Sequence, residues 1–157
     1  MSIRSATPAD IPAIIRLERQ CASAAHWTEE QYRQAFQPEG VKRLVLIAES
    51  SVPLRSHSDP AGEVVGFLVA RHLAAEWELE NIVVAPTARR SRLGTRLLEA
   101  VFATARETKG VSVFLEVRES NVAARTLYEK SGFEQAGHRK HYYSDPIEDA
   151  VLYRRSS

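Results

Sequence analysis

The chain has 157 residues, 44% of them hydrophobic, and carries 21 Lys+Arg against 20 Asp+Glu. These values are typical of one globular domain, here residues 1–157, with enough apolar residues to bury a core. The longest apolar runs fall far short of the roughly 20 residues that a membrane span requires, and the N-terminus has no apolar signal segment. The single cysteine, Cys21, cannot form an internal disulfide. We expect a cytoplasmic protein without membrane association, as a monomer or weak homodimer.

The charges are unevenly distributed along the chain. Residues 1–80 hold 8 basic and 11 acidic side chains, whereas residues 81–157 hold 13 and 9. Four arginines fall within eight positions of the basic half: Arg89, Arg90, Arg92 and Arg96. The formal net charge of +1 argues against a nucleic-acid-binding protein. The arginine segment is either the solvated start of a helix or the place where the protein meets a polyanion.

The first third of the chain predicts a short strand followed by two helices. The strand is at residues 3–4, and Thr7 is the N-cap of a helix that begins with Pro8 and carries an apolar face through residues 11–18. Thr28 caps a second, shorter helix that extends to about residue 38. We expect the two helices to pack as a pair on a flat surface.

The rest of the chain alternates strands and helices. Strands are predicted at residues 44–48, 64–70, 77–85, 111–117, 133–143 and 150–154, and helices at residues 92–108 and 122–130. Residues 50–62, rich in Ser, Pro and His, are expected to form a surface connection. Asn121 is in the N-cap position of the last helix and Gly132 in the left-handed position at its exit. The order predicts an α+β fold with a mixed sheet of about seven strands and helices on both faces.

One segment carries a recognisable binding pattern. A buried strand containing Ile82, Val83 and Val84 ends at Pro86, and a basic turn leads into an amphipathic helix. The start of a helix offers unpaired N–H groups and the positive end of the helix dipole to a phosphate, and a small residue lets a pyrophosphate approach the backbone. The candidate ligand-binding residues of this turn are Arg89, Arg90, Ser91, Arg92, Leu93, Gly94 and Thr95. The segment is neither a Walker loop nor a dinucleotide fingerprint.

The turn resembles the acetyl-CoA signature of the GNAT N-acetyltransferase family, Gln/Arg-x-x-Gly-x-Gly/Ala, which follows that family's fourth strand. Here it reads Arg-Arg-Ser-Arg-Leu-Gly at residues 89–94, so Arg92 occupies the position of the first glycine. Arg92 either weakens CoA binding by hindering the approach of the pyrophosphate or adds a contact to a phosphate.

The resemblance extends along the chain and is closest to the ribosomal-protein-alanine N-acetyltransferases of the RimI type. The matching blocks are residues 3–10, 17–19, 27–29, 81–84, 115–118, 120–124, 127–133, 142–143 and 148–150. It implies a mostly antiparallel GNAT sheet in which the fourth strand separates from the fifth near Val84 and Ala85. Backbone groups there would pair with the pantetheine arm of acetyl-CoA, and an N–H such as that of Val84 would polarise the thioester carbonyl.

Two carboxylate positions compete for the role of general base. Glu116 interrupts the apolar strand at residues 111–117, so its side chain faces either solvent or a cleft. The resemblance implies that Glu116 is the proton acceptor. Glu78 and Glu80 are alternatives, because some GNAT branches take their base from the fourth strand, although with Glu76 they also resemble one solvated strand face.

The remaining candidate residues have a structural and a functional interpretation. Tyr128 either packs its helix on the sheet or, as the resemblance implies, protonates the departing thiolate. Asn121 caps a helix and, by the resemblance, hydrogen-bonds CoA, although one side chain is not expected to do both at once. Tyr142 and Tyr143 cannot both be buried on one strand, so at least one is free to clamp a peptide substrate. We expect no metal site, because Arg139 and Lys140 lie between His138 and His141 and no carboxylate is at ligand spacing.

These observations favour an enzyme that uses acetyl-CoA to acetylate a protein N-terminus, with a ribosomal protein as a candidate acceptor. A peptide α-amine has a pKa of about 7.7–8.0 and lysine one of about 10.4, so a single carboxylate serves the former more readily near neutral pH. An alternative is the same chemistry on a small amine or a lysine side chain. A third hypothesis, a non-catalytic CoA-binding regulatory domain, rests on Arg92 and the segment at residues 50–62.

Overall fold

The protein is described by a computed structural model that covers residues 1–51 and 62–157. Most of the predicted connection at residues 50–62 therefore lies outside the described residues. The strands are β1 (Ser2–Ser5), β2 (Arg43–Ser50), β3 (Glu63–Leu73), β4 (Glu76–Val84), β5 (Ser112–Arg118), β6 (Glu134–Ser144) and β7 (Ile147–Ser156). The helices are α1 (Ile11–Arg19), α2 (Glu29–Ala35), α3 (Leu93–Glu107) and α4 (Val122–Lys130). The predicted order of elements is confirmed.

The helix caps follow the local sequence. Thr28 accepts a hydrogen bond from the Gln31 N–H, and the Gln31 side chain accepts one from the Thr28 N–H at 2.8 Å. Asn121 caps α4, and Gly132 leaves it with a φ of +86°. The first predicted helix begins one turn late, because Pro8–Asp10 forms a separate 3-10 turn before α1. The described residues contain no helix long and apolar enough to cross a bilayer.

The strands form one seven-stranded sheet in the order β1-β2-β3-β4-β5-β7-β6. Each neighbouring pair is antiparallel except β4 and β5, which are parallel. Two consecutive residues of β3 show that helices cover both faces. A Cβ on Gly66 would lie 3.1 Å from Leu93 of α3, whereas Phe67 packs its ring against Tyr32 of α2. Successive strand side chains point to opposite faces, so α2 and α3 lie on opposite sides of the sheet.

The predicted separation of the fourth and fifth strands is present, but it begins earlier than residues 84–85. β4 and β5 are paired only from Glu76 with Ser112 to Glu78 with Phe114. Two residues further along β4, Glu80 is an extra residue in the pairing with β3, where Val69 opposes Asn81 and Ala70 opposes Leu79. A β-bulge of this kind bends its strand and increases the local twist. The bend at Glu80 accounts for the early divergence of the two strands.

Candidate active site

A cavity of about 1450 Å³ lies where β4 and β5 diverge. Two of its walls are the separated halves of β4 and β5, and the start of α3 and one side of α4 form others. The loop between α1 and α2 (residues 20–28, the α1–α2 loop) and Tyr142 and Tyr143 of β6 complete the lining. Strand edges that lack a neighbour leave backbone N–H and C=O groups free to bind an extended ligand. The cavity is therefore suited to a long, partly polar molecule.

The backbone of β4 faces this opening. The N–H of Ala85 bonds the carbonyl of Val65 on β3 at 2.8 Å. Because N–H directions alternate along an antiparallel strand, the N–H of Val84 points to the opposite edge, toward the cavity. Ile82, Val83 and Val84 all line the cavity. This is the edge at which we predicted a backbone donor for a thioester carbonyl.

Glu116 points into the cavity and not into bulk solvent. Its side chain is 13% exposed, and Oε1 forms an ion pair with Nε of Arg139 at 3.2 Å. Oε2 is buried and has no hydrogen-bond partner of ordinary length among the described residues. The nearby Tyr142 hydroxyl interacts with the same carboxylate, and burial together with this interaction raises the pKa of Tyr142. A buried carboxylate oxygen without a donor carries a large desolvation cost. A ligand that brings a hydrogen-bond donor to this oxygen would remove that cost.

Glu78 and Glu80, the alternative bases, also line the cavity, but each forms an ion pair with an arginine. Glu78 accepts from Nε of Arg71 at 2.7 Å, and Glu80 accepts from Nε of Arg43 at 2.9 Å. Both carboxylates are therefore held by guanidinium groups from β3 and β2. Glu76, the third member of the row, bonds the Ser112 hydroxyl and Arg154, and these contacts lower its pKa.

The surroundings of Tyr128 on α4 are compatible with both interpretations that the sequence left open, a packing role and a proton-donor role. Its ring is buried, with centroids 5.7 Å from Phe133 and 6.2 Å from Tyr153. The residue also lines the cavity, and its hydroxyl makes no hydrogen bond with the described residues. Burial raises the pKa of Tyr128 well above its usual value of 10. The phenol therefore stays protonated at neutral pH and is able to donate.

The basic turn lines the opposite end of the cavity. Arg89, Arg90 and Arg92 are exposed and contribute to its wall. Arg96 does not line the cavity, because its guanidinium bonds the carbonyl of Met1 at 3.3 Å. Ser91 is also absent from the wall, since its hydroxyl donates to the carbonyl of Ala88 within the turn. The Ser91 hydroxyl is thus engaged within the turn, and a contact of Ser91 with the ligand remains a prediction.

Leu93, Gly94 and Thr95 form the first turn of α3, and all three line the cavity. The side chain of Leu93 is only 1% exposed and belongs to the core. A Cβ on Gly94 would lie 3.0 Å from Leu127 of α4. The small size of Gly94 thus permits close packing of α3 against α4, in addition to the ligand approach that we expected from it.

Arg92 has the backbone conformation that a glycine would supply at this position. It lies in the left-handed region, with φ 61° and ψ 17°, and is the N-cap of α3. This conformation costs a non-glycine residue about 1–2 kcal/mol. The turn therefore has a left-handed backbone at Arg92, although arginine replaces the first glycine of the GNAT signature. The main difference from that signature is the added arginine side chain.

Replacing Arg92 with glycine is expected to weaken acetyl-CoA binding by about three- to tenfold, because it removes a cation from a wall suited to phosphates. Isothermal titration calorimetry at two salt concentrations would measure this loss and its salt dependence. Arg92→Lys, which keeps the charge, is the matched control and should bind nearly as well as the wild type. Tighter binding by Arg92→Gly would mean that backbone approach, and not charge, limits affinity.

Asn121 lies at the cavity wall and caps α4 through one atom only. Its Oδ1 accepts from the N–H of Ala124 at 3.2 Å. Its Nδ2 makes no hydrogen bond with the described residues. The two roles that we expected to compete are therefore compatible, with the oxygen used for the cap and the amide nitrogen left for a ligand.

Tyr142 and Tyr143 form an edge-to-face pair, with ring centroids 5.0 Å apart, beside Glu116. Tyr142 is 49% exposed, in agreement with the expectation that one of the two is free. Arg139 stacks on Tyr142 and Arg118 on Tyr143. Burial raises the pKa of Tyr143 to about 12. The contact between Arg139 and Glu116 has no local signal in the sequence, because it joins β6 and β5, which are not neighbours in the sheet.

His138 and His141 both contact Asp149, the first through its ring and the second through its backbone. His138 lies 3.4 Å from Asp149 and 3.7 Å from Glu119, whereas the backbone N–H of His141 donates to Asp149 at 2.8 Å. No carboxylate lies at ligand spacing from these histidines in the sequence, but the fold brings Glu119, just after β5, and Asp149 of β7 next to His138.

The family can be identified from sequence comparison. The model of the GNAT acetyltransferase family matches residues 11–133. With the seven-stranded sheet, the parallel β4–β5 pair and the cavity at their separation, this match shows that the chain belongs to the GNAT family and is an acetyl-CoA-dependent acetyltransferase. The hypothesis of a non-catalytic regulatory domain is therefore not retained.

Within the family, three similar proteins cover nearly the whole chain. The ribosomal protein bS18-alanine N-acetyltransferase of Salmonella typhimurium is 35% identical over 155 residues, which are 97% of this chain and 93% of that protein. An N-alpha-acetyltransferase of Sulfurisphaera tokodaii is 32% identical, covering 96% of this chain and 89% of that protein. The crystal structure of the Escherichia coli ribosomal-protein-S18-alanine N-acetyltransferase superposes with a TM-score of 0.76 at 30% identity, covering 99% and 92% of the two chains.

Proposed function

We propose that this enzyme transfers the acetyl group of acetyl-CoA to the N-terminal α-amine of a protein in the cytoplasm, with a ribosomal protein that begins with alanine as the acceptor. The names of the Salmonella and Escherichia coli relatives support this acceptor class. The observation that carries the proposal is the buried, unpartnered Oε2 of Glu116, in the same cavity as the unpartnered hydroxyl of Tyr128. The Glu116 carboxylate is placed to accept a proton, and the Tyr128 hydroxyl is placed to donate one.

Glu116 accepts the proton that the attacking amine must lose. An α-amine has a pKa of about 7.7–8.0, so a carboxylate at hydrogen-bond distance takes up its proton near neutral pH more readily than that of lysine, at about 10.4. The amine nitrogen forms the new bond to the acetyl carbon as the bond from that carbon to sulfur breaks. Direct transfer of this kind needs no covalent enzyme intermediate.

Two other groups act on the thioester side of the reaction. The N–H of Val84, at the open edge of β4, is a donor for the carbonyl oxygen on which negative charge develops. Tyr128 gives its proton to the departing thiolate. Arg89, Arg90 and Arg92, the N-terminus of α3 and Nδ2 of Asn121 supply donors and positive charge for the phosphates and the pantetheine arm.

Tyr142 and Tyr143 are the candidate peptide clamp. Their rings stand beside Glu116, and Tyr142 keeps about half of its surface exposed. The rings and the neighbouring arginines present both apolar surface and hydrogen-bond donors, which suits an extended peptide backbone.

Mass spectrometry on a panel of acceptors tests the proposed acceptor. The panel contains peptides that begin with Ala, Ser, Met or Gly, an N-terminally blocked lysine peptide, and spermidine. We expect an acetyl-CoA-dependent mass gain on the free Ala-initiated peptide and none on the blocked peptide. A gain confined to the blocked lysine peptide or to spermidine would overturn the α-amine assignment in favour of the alternative acceptors.

A further inference from the structure

Glu18 is a buried carboxylate that the reaction above does not use. It lies on α1 with 1% of its surface exposed. Its position, four residues after Ile14 and seven after Ile11, is on the apolar face of the helix, where an acidic residue is unexpected. A buried carboxylate is tolerated only when hydrogen bonds compensate for its lost hydration.

Three donors meet one oxygen of Glu18. Oε1 accepts from the hydroxyl of Tyr32 at 2.8 Å, from Nδ2 of Asn81 at 3.0 Å and from the backbone N–H of Trp27 at 3.1 Å. Tyr32 and Asn81 are themselves buried, and Nδ2 of Asn81 lies 3.3 Å from the Tyr32 hydroxyl. The donors belong to three separate parts of the fold: α2, β4 and the end of the α1–α2 loop.

The bulge at Glu80 makes this arrangement possible. Before the bulge, Trp77 of β4 bonds Thr108 at the end of α3, so its side chain points to the α3 face. After the bulge, Asn81 contacts Glu18 and Tyr32 on the opposite face. If β4 ran through Glu80 as a regular strand, Asn81, four residues after Trp77, would share the face of Trp77 and could not reach Glu18.

The α1–α2 loop forms a wall of the cavity. Cys21, Ser23, Ala24 and Ala25 all line it. The loop has no regular secondary structure to hold it in place, and Trp27, near its end, is therefore an important anchor. The N–H of Trp27 bonds Glu18, and its ring lies 5.8 Å from the guanidinium carbon of Arg43, which in turn pairs with Glu80.

We propose that Glu18 is a positioning residue that holds the α1–α2 loop against β4 and thereby shapes the acceptor side of the cavity. The inference rests on the proposed function, which assigns the basic turn after β4 to acetyl-CoA. Asn81 lies three residues before Val84, which is about 10 Å along the strand. Glu18 therefore acts on the cavity at a distance from the phosphate-binding turn and should affect the acceptor more than acetyl-CoA.

Steady-state kinetics of Glu18→Gln test this assignment, because glutamine keeps the shape of the side chain but removes its charge. We expect the KM for an Ala-initiated peptide to rise about tenfold while the dissociation constant of acetyl-CoA changes less than about twofold. Tyr32→Phe, which removes one donor and keeps the ring, should shift the peptide KM in the same direction by a smaller factor. An equal loss of affinity for both substrates, or an unchanged peptide KM, would overturn the proposal.

Two control variants separate positioning from simple loss of stability or charge. Glu29→Gln removes a carboxylate near the same loop, but Glu29 is exposed, and its one ion pair within the described part of the chain is with Arg33 on α2. Ile14→Val trims a fully buried side chain of the same helix and lowers stability without touching the Glu18 network. Both controls should leave the peptide KM unchanged. A similar rise in Ile14→Val would mean that stability, and not loop position, controls the KM.

Hydrogen exchange provides a measurement that does not depend on the acceptor. The Trp27 amide bonds Glu18 directly, so Glu18→Gln should accelerate its exchange and that of residues 20–28 by about tenfold or more, whereas Glu29→Gln should not. Unchanged exchange would overturn the inference whatever the enzyme acetylates.

If the acceptor panel instead identifies lysine or a small amine, the proposed function fails. The Glu18 assignment then stands only if the KM for that amine rises in Glu18→Gln.

Discussion

Glu116→Gln is expected to lower kcat by about 10²-fold or more, which is the usual contribution of a general base. Glutamine preserves the size of the side chain but cannot take up the proton of the amine. The ion pair with Arg139 is lost as well, but the Arg139 side chain is 60% exposed and water can solvate it. We therefore expect a folded protein with nearly unchanged acetyl-CoA affinity. Steady-state kinetics with the Ala-initiated peptide, together with calorimetry of acetyl-CoA binding, measure both quantities.

Glu78→Gln and Glu80→Gln are the matched controls, since both residues line the same cavity and lose the same charge. Their carboxylates are paired with Arg71 and Arg43, so we expect kcat to stay within about threefold of the wild-type value. If Glu116→Gln keeps full activity and one of these variants loses it, the base lies on β4 and our assignment is wrong.

Tyr128→Phe is expected to reduce kcat by a similar factor, about 10²-fold, because phenylalanine removes the proton donor for the thiolate. The hydroxyl makes no hydrogen bond with the described residues, so the substitution leaves no partner unsatisfied and the ring still packs on Phe133. The thermal unfolding temperature should therefore change little. Burial raises the pKa of Tyr128 above 10, so the acid form persists as pH rises. Ionisation of this phenol should not reduce the wild-type rate up to about pH 10.

Tyr153→Phe is the control for this prediction. The hydroxyl of Tyr153 donates to Glu129 at 2.6 Å and accepts from Arg125 at 3.0 Å, and the residue does not line the cavity. We expect this variant to lose stability while keeping its kcat, the reverse of the pattern for Tyr128→Phe. Full activity in Tyr128→Phe would leave Tyr128 with a packing role only.

Much of the fold could be predicted because its determinants lie close together in the chain. The caps at Thr28 and Asn121 each bond an N–H three residues away, and the left-handed exit at Gly132 needs only the absence of a Cβ. The predicted amphipathic helix at residues 92–108 is present as α3, and its side chains Leu97 and Val101 are at most 1% exposed. The bulge at Glu80 had no such local signal, so the predicted start of the strand separation was too late.

In the candidate site, too, some features could be predicted from the local sequence and others could not. The local pattern itself indicated the basic turn and its residues, whereas the proton-transfer roles of Glu116 and Tyr128 were expected from the resemblance to the GNAT family. The sequence could not say whether Glu116 faces solvent, that Glu78 and Glu80 are neutralised by arginines from other strands, or that Gly94 is small because Leu127 packs against it.

By itself, then, the sequence determined the order of elements, their caps and the chemistry of the turn before α3, since these depend on contacts within a few residues. Only the tertiary structure decided which carboxylate keeps one oxygen without a partner, which acidic residue is buried on α1, and which loop lines the cavity. Those properties depend on strand register and on side chains distant in the chain, such as Arg139 beside Glu116 and Asn81 beside Glu18. A one-residue bulge is enough to change them, because it reverses the face on which every following side chain lies.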